Sequence, residues 1–147
     1  MKLAILTPNF SALKQPTAED IEELANRGYR SIISNRPDGE ALDQPDWKDL
    51  ETTALARGME AVHIPVVASQ IGEADVRAFR DALERLPKPI AAFCRTGTRS
   101  TLLWALANEA SLTVDERIEI AAKEGFDLEP FRGSLEGAHQ APSSKTA

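Results

Sequence analysis

The sequence predicts an α/β fold in which a mostly parallel sheet carries helices on both faces. Short apolar runs alternate along the chain with longer segments whose apolar residues recur at helical spacing, and this alternation is typical of strand–helix–strand units. Two of the longer segments also begin with a threonine three residues before an acid, as in a helix capping box. A length of 147 residues suits a single domain.

Five apolar runs predict the strands of this sheet. They are rich in Leu, Ile, Val, Ala and Phe, and Pro, Gly or Asn residues lie beside them in the chain. The second run, which ends before Pro16, is placed at an edge of the sheet. In chain order the predicted strands are 3–6, 12–13, 29–34, 59–64 and 90–93.

Five further segments predict helices. Thr17 caps the first, which ends at Gly28, and Asp46 caps the second, which ends at Gly58. The third carries an apolar stripe that includes Phe79, and the fourth is apolar on most faces, which predicts a buried helix. In chain order the predicted helices are 17–28, 46–58, 73–86, 100–109 and a segment that begins at 113.

The end of the chain differs from the rest in composition. It is rich in Gly, Ser, Ala and Pro and poor in large apolar residues, so it lacks the means to pack on a core. We therefore assign residues 1–130 to one folded domain and residues 131–147 to a flexible tail. His139 falls in this tail, which argues against a catalytic role for it.

Composition and charge exclude several functional classes. The net charge of −6 disfavours a broad nucleic-acid surface, and no apolar run approaches the ~20 residues that a membrane helix needs. The N-terminal apolar run is too short for a signal peptide, so we expect a cytoplasmic protein without nucleic-acid or membrane partners. One cysteine and two histidines without metal-ligand spacing predict no disulfide, no metal site and no cofactor.

The sequence FCRTGTRS, at 93–100, places the only cysteine between a predicted strand and a predicted helix. The carboxyl end of such a strand is where α/β proteins bind ligands, and the helix dipole and loop amides favour anions there. We therefore expect Cys94 to be a thiolate nucleophile and Arg99 to hold an anionic group beside it. The residues expected to help bind that group are Arg95, Thr96, Gly97, Thr98 and Ser100.

A second candidate site is the turn at 35–40, NRPDGE, which also follows a predicted strand. Arg36 would add positive charge for an anionic substrate, and Asp38 would serve as a general acid. A surface turn with an Arg–Glu pair explains the same residues equally well, so both interpretations stay open. His63, on the strand before Pro65, is expected to be a buried structural residue rather than a base.

The motifs SIISNRPDGE, AVHIPV and FCRTGTRS together resemble the beta-lactamase-hydrolase-like, phosphatase-like domain family, DUF442. The resemblance covers roughly residues 3–124. It implies a cysteine-phosphatase-like fold of the dual-specificity type and a role in sulfur transfer, with a persulfide dioxygenase as a candidate partner. The histidine cluster of a metallo-β-lactamase domain is missing from the sequence, so we expect the stand-alone form.

Two features of the sequence help to distinguish a phosphate substrate from a sulfur substrate. Four residues separate Cys94 from Arg99, as in rhodanese-type loops, whereas cysteine phosphatases usually have five. The segment 67–70 holds no acid, and the next carboxylates, Glu73 and Asp75, are interpreted as first-turn acids of a helix. Both features favour sulfur. The shorter loop makes a tighter ring that suits the smaller terminal sulfur of a persulfide, and a missing acid matters less for sulfur transfer because sulfite or a thiolate leaves without needing a proton.

We therefore expect a rhodanese-like sulfurtransferase that carries sulfane sulfur from thiosulfate or a small persulfide to a thiophilic acceptor as a Cys94 persulfide. The alternative enzyme is a cysteine-dependent phosphatase that hydrolyses a phosphate ester through a Cys94 phosphocysteine. A third class is a non-catalytic anion-binding domain. All three take a small anionic ligand at the same loop.

Overall fold

A computed structural model, which describes residues 1–137, contains one five-stranded sheet with the strand order β1-β2-β5-β3-β4. β1 and β2 form an antiparallel pair, and β2, β5, β3 and β4 are parallel to one another. The predicted mostly parallel sheet is thereby confirmed. The strands are β1 (Ala4–Thr7), β2 (Phe10–Leu13), β3 (Ser31–Ser34), β4 (Glu60–His63) and β5 (Ile90–Phe93).

Helices cover both faces of the sheet, as predicted. They are α1 (Ala18–Asn26), α2 (Trp47–Ala56), α3 (Glu73–Arg85), α4 (Thr98–Ala107) and α5 (Val114–Lys123), with short 3-10 helices at Ala68–Gln70 and Glu129–Phe131. Neighbouring residues of β3 show how the two faces are filled. Ile32 belongs to the apolar cluster under α1 and α2, whereas Ile33 belongs to the larger cluster under α3, α4 and α5, because successive strand side chains point to opposite faces. Within the described residues, no helix has both the length and the apolar character to cross a membrane.

Both predicted capping boxes are confirmed. Thr17 Oγ1 accepts the Asp20 N–H at 3.1 Å while the Asp20 carboxylate accepts the Thr17 N–H at 2.9 Å. Thr113 and Glu116 make the same reciprocal pair. These bonds satisfy N–H groups that have no partner inside the helix, so they fix where α1 and α5 begin.

One predicted position in the sheet is wrong. The run at 12–13 was expected at an edge, but β2 lies between β1 and β5, and all four of its residues are buried. The hairpin from β1 adds one more strand outside it, so the edges of the sheet are β1 and β4. The apolar run at 12–13 is shorter than β2 because the strand also includes a polar residue, Ser11. Ser11 is buried and forms a hydrogen bond with Tyr29 Oη.

Part of the predicted tail packs on the domain. Residues 132–137 are helical, and the side chain of Leu135 is fully buried in the larger apolar cluster. Arg132 also ties this segment to the domain through bonds to Asp115 and Glu129. The remainder of the predicted tail, residues 138–147 with His139, lies outside the described residues.

The carboxyl ends of four strands meet at one edge of the sheet. Leu13 and Ser34 are both in register with Phe93, and Ser34 is also in register with His63. Backbone bonds continue beyond the strands, from Asn35 N to Phe93 O at 2.7 Å. The segments that follow β2, β3, β4 and β5 therefore converge around residue 94.

Candidate active site

Cys94 follows β5 directly and lies at the base of a tight loop that leads into α4. The residue is only 1% exposed. The backbone N–H of Gly97 donates to Cys94 Sγ at 3.1 Å, so the loop folds back over the sulfur. Since α4 begins at Thr98, the positive end of its helix dipole also lies at this loop, and both features favour an anionic group bound there.

Gly97 is required by the loop's conformation and by its close packing. It has a φ of +94°, which side chains other than glycine resist. A Cβ atom at this position would lie 3.1 Å from Phe126 Cζ and 3.4 Å from the backbone of Leu13. The residue that closes the loop over the sulfur is thus fixed by the end of β2 on one side and by an aromatic ring on the other.

Arg99, in the first turn of α4, is held by a carboxylate. Its Nη1 and Nη2 donate to the two oxygens of Glu40 at 2.8 and 2.9 Å, and Nη1 also donates to Val66 O at 2.9 Å. The hydrogen bonds to Glu40 raise the pKa of Arg99, and the nearby Cys94 sulfur raises it further. The partners fix the Nη1 side of the guanidinium, which leaves Nε and part of Nη2 for an anion bound over Cys94.

Glu40 is the link between two arginines. Arg36 Nε donates to Glu40 Oε1 at 3.0 Å, and Arg36 Nη1 donates to Gln15 Oε1 at 3.0 Å. The Arg99 guanidinium, with Arg36 after it, holds the pKa of Glu40 below its ordinary value of 4.5. Arg36 is only 5% exposed. It was expected either to add charge for the substrate or to form a surface pair; it does form an Arg–Glu pair, in which Arg36 is buried, Glu40 is 28% exposed and the carboxylate is shared with Arg99.

Ser100 has a different contact from the one expected. Its Oγ donates to Asn35 Oδ1 at 2.8 Å in the buried interior, and Asn35 Nδ2 donates in turn to Ile64 O at 2.9 Å. Ser100 therefore ties the start of α4 to the ends of β3 and β4. The contact supports a role in positioning the loop rather than in direct binding.

The remaining loop residues face outward. Arg95, Thr96 and Thr98 are exposed, and the hydroxyls of Thr96 and Thr98 lie 3.0 Å apart. The Arg95 carbonyl accepts the Gln15 N–H at 3.2 Å, which joins the loop to the end of β2. These three side chains therefore lie at the protein surface beside the loop.

Asp38, the expected general acid, acts as a helix cap. Its Oδ1 accepts the Trp47 N–H at 2.9 Å, at the start of α2. The cap predicted for this helix, Asp46, stands at the N-cap position but makes no side-chain capping bond. Asp38 takes over because the turn at 35–40 folds back against α2, which the local spacing could not reveal.

His63 is held by contacts typical of a structural residue, but it is half-buried rather than buried as expected. Its Nε2 lies 3.0 Å from Arg36 O, and its ring stacks on Trp47 with 5.4 Å between ring centroids. Across residues 1–137, no group of three or more His, Cys, Asp or Glu side chains could hold a metal ion.

Sequence reasoning missed Gln15, and it included Asn35 and Glu40 in the candidate turn at 35–40 without predicting that they contact Ser100 and Arg99. Each follows a strand that ends at the same edge as Cys94. Polar side chains just after the ends of parallel strands are the signal that could have grouped them.

A family model for the phosphatase-like domain of beta-lactamase hydrolase-like proteins matches residues 2–111. This chain belongs to that family. Among curated relatives, the beta-lactamase hydrolase-like protein of Xylella fastidiosa (strain Temecula1) is 35% identical over 130 residues, which are 87% of this chain. The chain spans about 30% of the length of that relative.

Solved structures place the domain among the cysteine-phosphatase-like folds. A candidate phosphatase of Neisseria meningitidis z2491 is 38% identical, with a TM-score of 0.81 over 93% of this chain and 99% of its own. A DUF442 protein of Shewanella putrefaciens CN-32 is 19% identical, with a TM-score of 0.74 over 95% and 91%. The fold alone is shared with TpbA of P. aeruginosa, solved with pTyr, at 14% identity and a TM-score of 0.66 over 92% and 86%.

The expected sulfurtransferase activity is wrong. The matching family is phosphatase-like, and so is the 38%-identical structure. The number of residues between Cys94 and Arg99 did not distinguish sulfur from phosphate. The Gly97 amide and the start of α4 still close the loop around the sulfur, and such a loop can bind phosphate as well. The expected persulfide dioxygenase partner loses its basis with the sulfur chemistry.

Proposed function

We propose that this domain is a cysteine-dependent phosphatase that hydrolyses small phosphate esters through a Cys94 phosphocysteine. The observation that carries the proposal is the Gly97 N–H bond to Cys94 Sγ, at the base of a loop whose arginine is already oriented. A thiol in this position is a nucleophile placed at the centre of an anion-binding loop. The family and the fold support the same reaction class.

Different residues would bind and transfer the phosphoryl group in the first step. The phosphoryl group would rest on the loop amides between Cys94 and Arg99, at the positive end of α4. Arg99 would bind two of its oxygens through the free side of the guanidinium, where charge builds up as the phosphoryl group transfers. Sγ attacks phosphorus in line with the departing oxygen, and the ester bond breaks. Water then attacks the phosphocysteine, which releases phosphate and restores the thiolate.

Substrate size and charge follow from the loop. Only four residues separate Cys94 from Arg99, so the loop would hold one phosphoryl group at a time. TpbA, which shares the fold, has been solved with pTyr. That complex supports a small anionic substrate here.

The test is steady-state hydrolysis of p-nitrophenyl phosphate by the wild-type chain, by Cys94→Ser and by a control variant, Glu23→Gln. Glu23 lies on the exposed surface of α1 and pairs only with Arg27. We expect wild type and Glu23→Gln to turn over equally and Cys94→Ser to fall to the background rate. Hydrolysis that persists in Cys94→Ser would refute the nucleophile, and a wild type without turnover would refute the phosphatase.

A further inference from the structure

The departing oxygen of a phosphate ester needs a proton when it would otherwise leave as an alkoxide. Enzymes supply this proton from a carboxyl or imidazole group placed beside the leaving atom. In this domain that group would have to stand at the mouth of the loop, opposite Cys94 Sγ, because attack and departure are in line. The segments after β2, β3 and β4 border that mouth, so their carboxylates are the candidates.

The segment after β4 offers a carbonyl instead of a carboxyl. Val66 O accepts from Arg99 Nη1 at 2.9 Å, and residues 64–72 contain no Asp or Glu. The next acids belong to the start of α3. Asp75 accepts the Gly72 N–H at 3.0 Å, so it caps the helix.

The segment after β3 holds two carboxylates, and both have other bonds. Asp38 accepts the Trp47 N–H at the start of α2. Glu40 touches the site but binds Arg99 and Arg36, which hold its pKa below the ordinary value. Glu40 is therefore ionised at neutral pH and has no proton to give.

The stretch after α5 also borders the loop, because the Phe126 ring packs on Gly97. The acid next to this ring in the chain, Asp127, accepts the Glu129 N–H at 3.0 Å.

The segment after β2 and the loop itself remain. The first acids after β2, Glu19 and Asp20, both lie in the first turn of α1, and Asp20 accepts the Thr17 N–H in the capping box. The loop from Cys94 to Arg99 contains no acid, and its outward side chains are two hydroxyls and a cation. Within residues 1–137, the acids that follow these strands therefore cap helices, lie in first turns or form ion pairs, whereas the loop itself presents groups that stabilise negative charge.

We propose, on the basis of the phosphatase function above, that this domain acts on phosphoryl groups whose leaving group departs as a stable anion. Such substrates are aryl phosphates of acidic phenols, acyl phosphates and phosphoanhydrides. The Sγ–P bond forms, the P–O bond breaks, and the electron pair leaves with the oxygen, which needs no proton from the protein. Water then attacks phosphorus, its protons pass to solvent, and Cys94 returns as a thiolate.

The experiment compares kcat/KM for a series of aryl phosphates that share one charge and differ in the pKa of the phenol, with acetyl phosphate and phosphoserine at the two extremes. We expect kcat/KM to fall steadily as the leaving group becomes more basic. Over the series the loss should reach about 10²–10⁴-fold, the contribution that a positioned general acid makes. Cys94→Ser supplies the background rate for every substrate.

Two results would overturn the proposal. One is Cys94-dependent turnover that hardly varies with the phenol pKa, since a hidden acid would then be protonating the leaving group. The other is a steeper dependence in Asp38→Asn, Asp75→Asn or Glu73→Gln than in wild type, which would identify that acid. The proposed function fails separately, if no substrate shows Cys94-dependent turnover at all, and the leaving-group preference then fails with it.

Discussion

Replacing Glu40 with glutamine tests the arrangement that orients Arg99. The carboxylate accepts two bonds from Arg99 and one from Arg36, and the exposed fractions of these side chains are 28% for Glu40, 13% for Arg99 and 5% for Arg36. Glu40→Gln keeps the shape but leaves two largely buried guanidinium groups without their counter-charge.

The cost can be estimated from the burial of the three groups. Removing one partner of a fully buried ion pair costs about 3–5 kcal/mol. Glu40 keeps some contact with water and glutamine retains one accepting oxygen, so we expect about 2 kcal/mol. For a domain of this size that loss lowers the Tm by about 4–8 °C. Arg99 also loses its fixed orientation, and kcat/KM should fall about 10–100-fold, as for other residues that position a reacting group.

Glu23→Gln is the matched control for this variant. Glu23 pairs with Arg27 on the surface of α1, with the two side chains 45% and 47% exposed, so its loss should cost less than about 0.5 kcal/mol. Thermal melts and hydrolysis of an aryl phosphate are measured on both variants. If Glu40→Gln matches Glu23→Gln in both assays, the carboxylate does not hold Arg99 and the reasoning is refuted.

Three further predictions concern stability. The folded state lowers the pKa of Glu40, so the stability that its carboxylate adds is present above the ordinary value of 4.5. This stability is lost as the pH falls through the folded pKa. In urea titrations, the difference in unfolding free energy between wild type and Glu40→Gln should therefore shrink at acid pH and not at alkaline pH. Gly97→Ala should lower the unfolding free energy by about 1–2 kcal/mol in chemical denaturation, because Gly97 has a φ of +94°. The close Phe126 ring should lower it further. A variant as stable as wild type would contradict this prediction. Arg117 is fully buried, and its Nη2 has no partner among the described residues. The unfolding free energy of Arg117→Met should therefore stay within about 1 kcal/mol of wild type, whereas Arg117→Ala should lose about 2–4 kcal/mol. Equal losses in the two variants would show that the charge matters more than the packing.

Local signals in the sequence were sufficient for most of the fold. The Thr17 and Thr113 capping boxes set the starts of two helices because their bonds span only three residues. The apolar run before Cys94 identified β5, which is buried along its length. The position of β2 in the sheet could not be read in the same way, because it depends on pairing with β1 and with β5, which lies far along the chain.

The same difference between local and long-range contacts applies to the candidate site. Cys94, Gly97 and Arg99 lie within one short loop, so their roles could be proposed from spacing and turn chemistry. Glu40 and Arg99 are 59 residues apart, and only the sheet register brings them together. The choice between sulfur and phosphate failed for a related reason, since a count of loop residues does not show how Gly97 and α4 close the loop around the sulfur.

The most direct measurement of the central claim is the trapping of the covalent intermediate. Wild type and Cys94→Ser are mixed with an activated aryl phosphate, quenched within the first turnover, digested and analysed by mass spectrometry. The proposed mechanism predicts a phosphoryl group on Cys94 in the wild-type peptide that spans the loop, and no such cysteine adduct in the variant. Rapid release of the phenol without any phosphoryl group on Cys94 would contradict it.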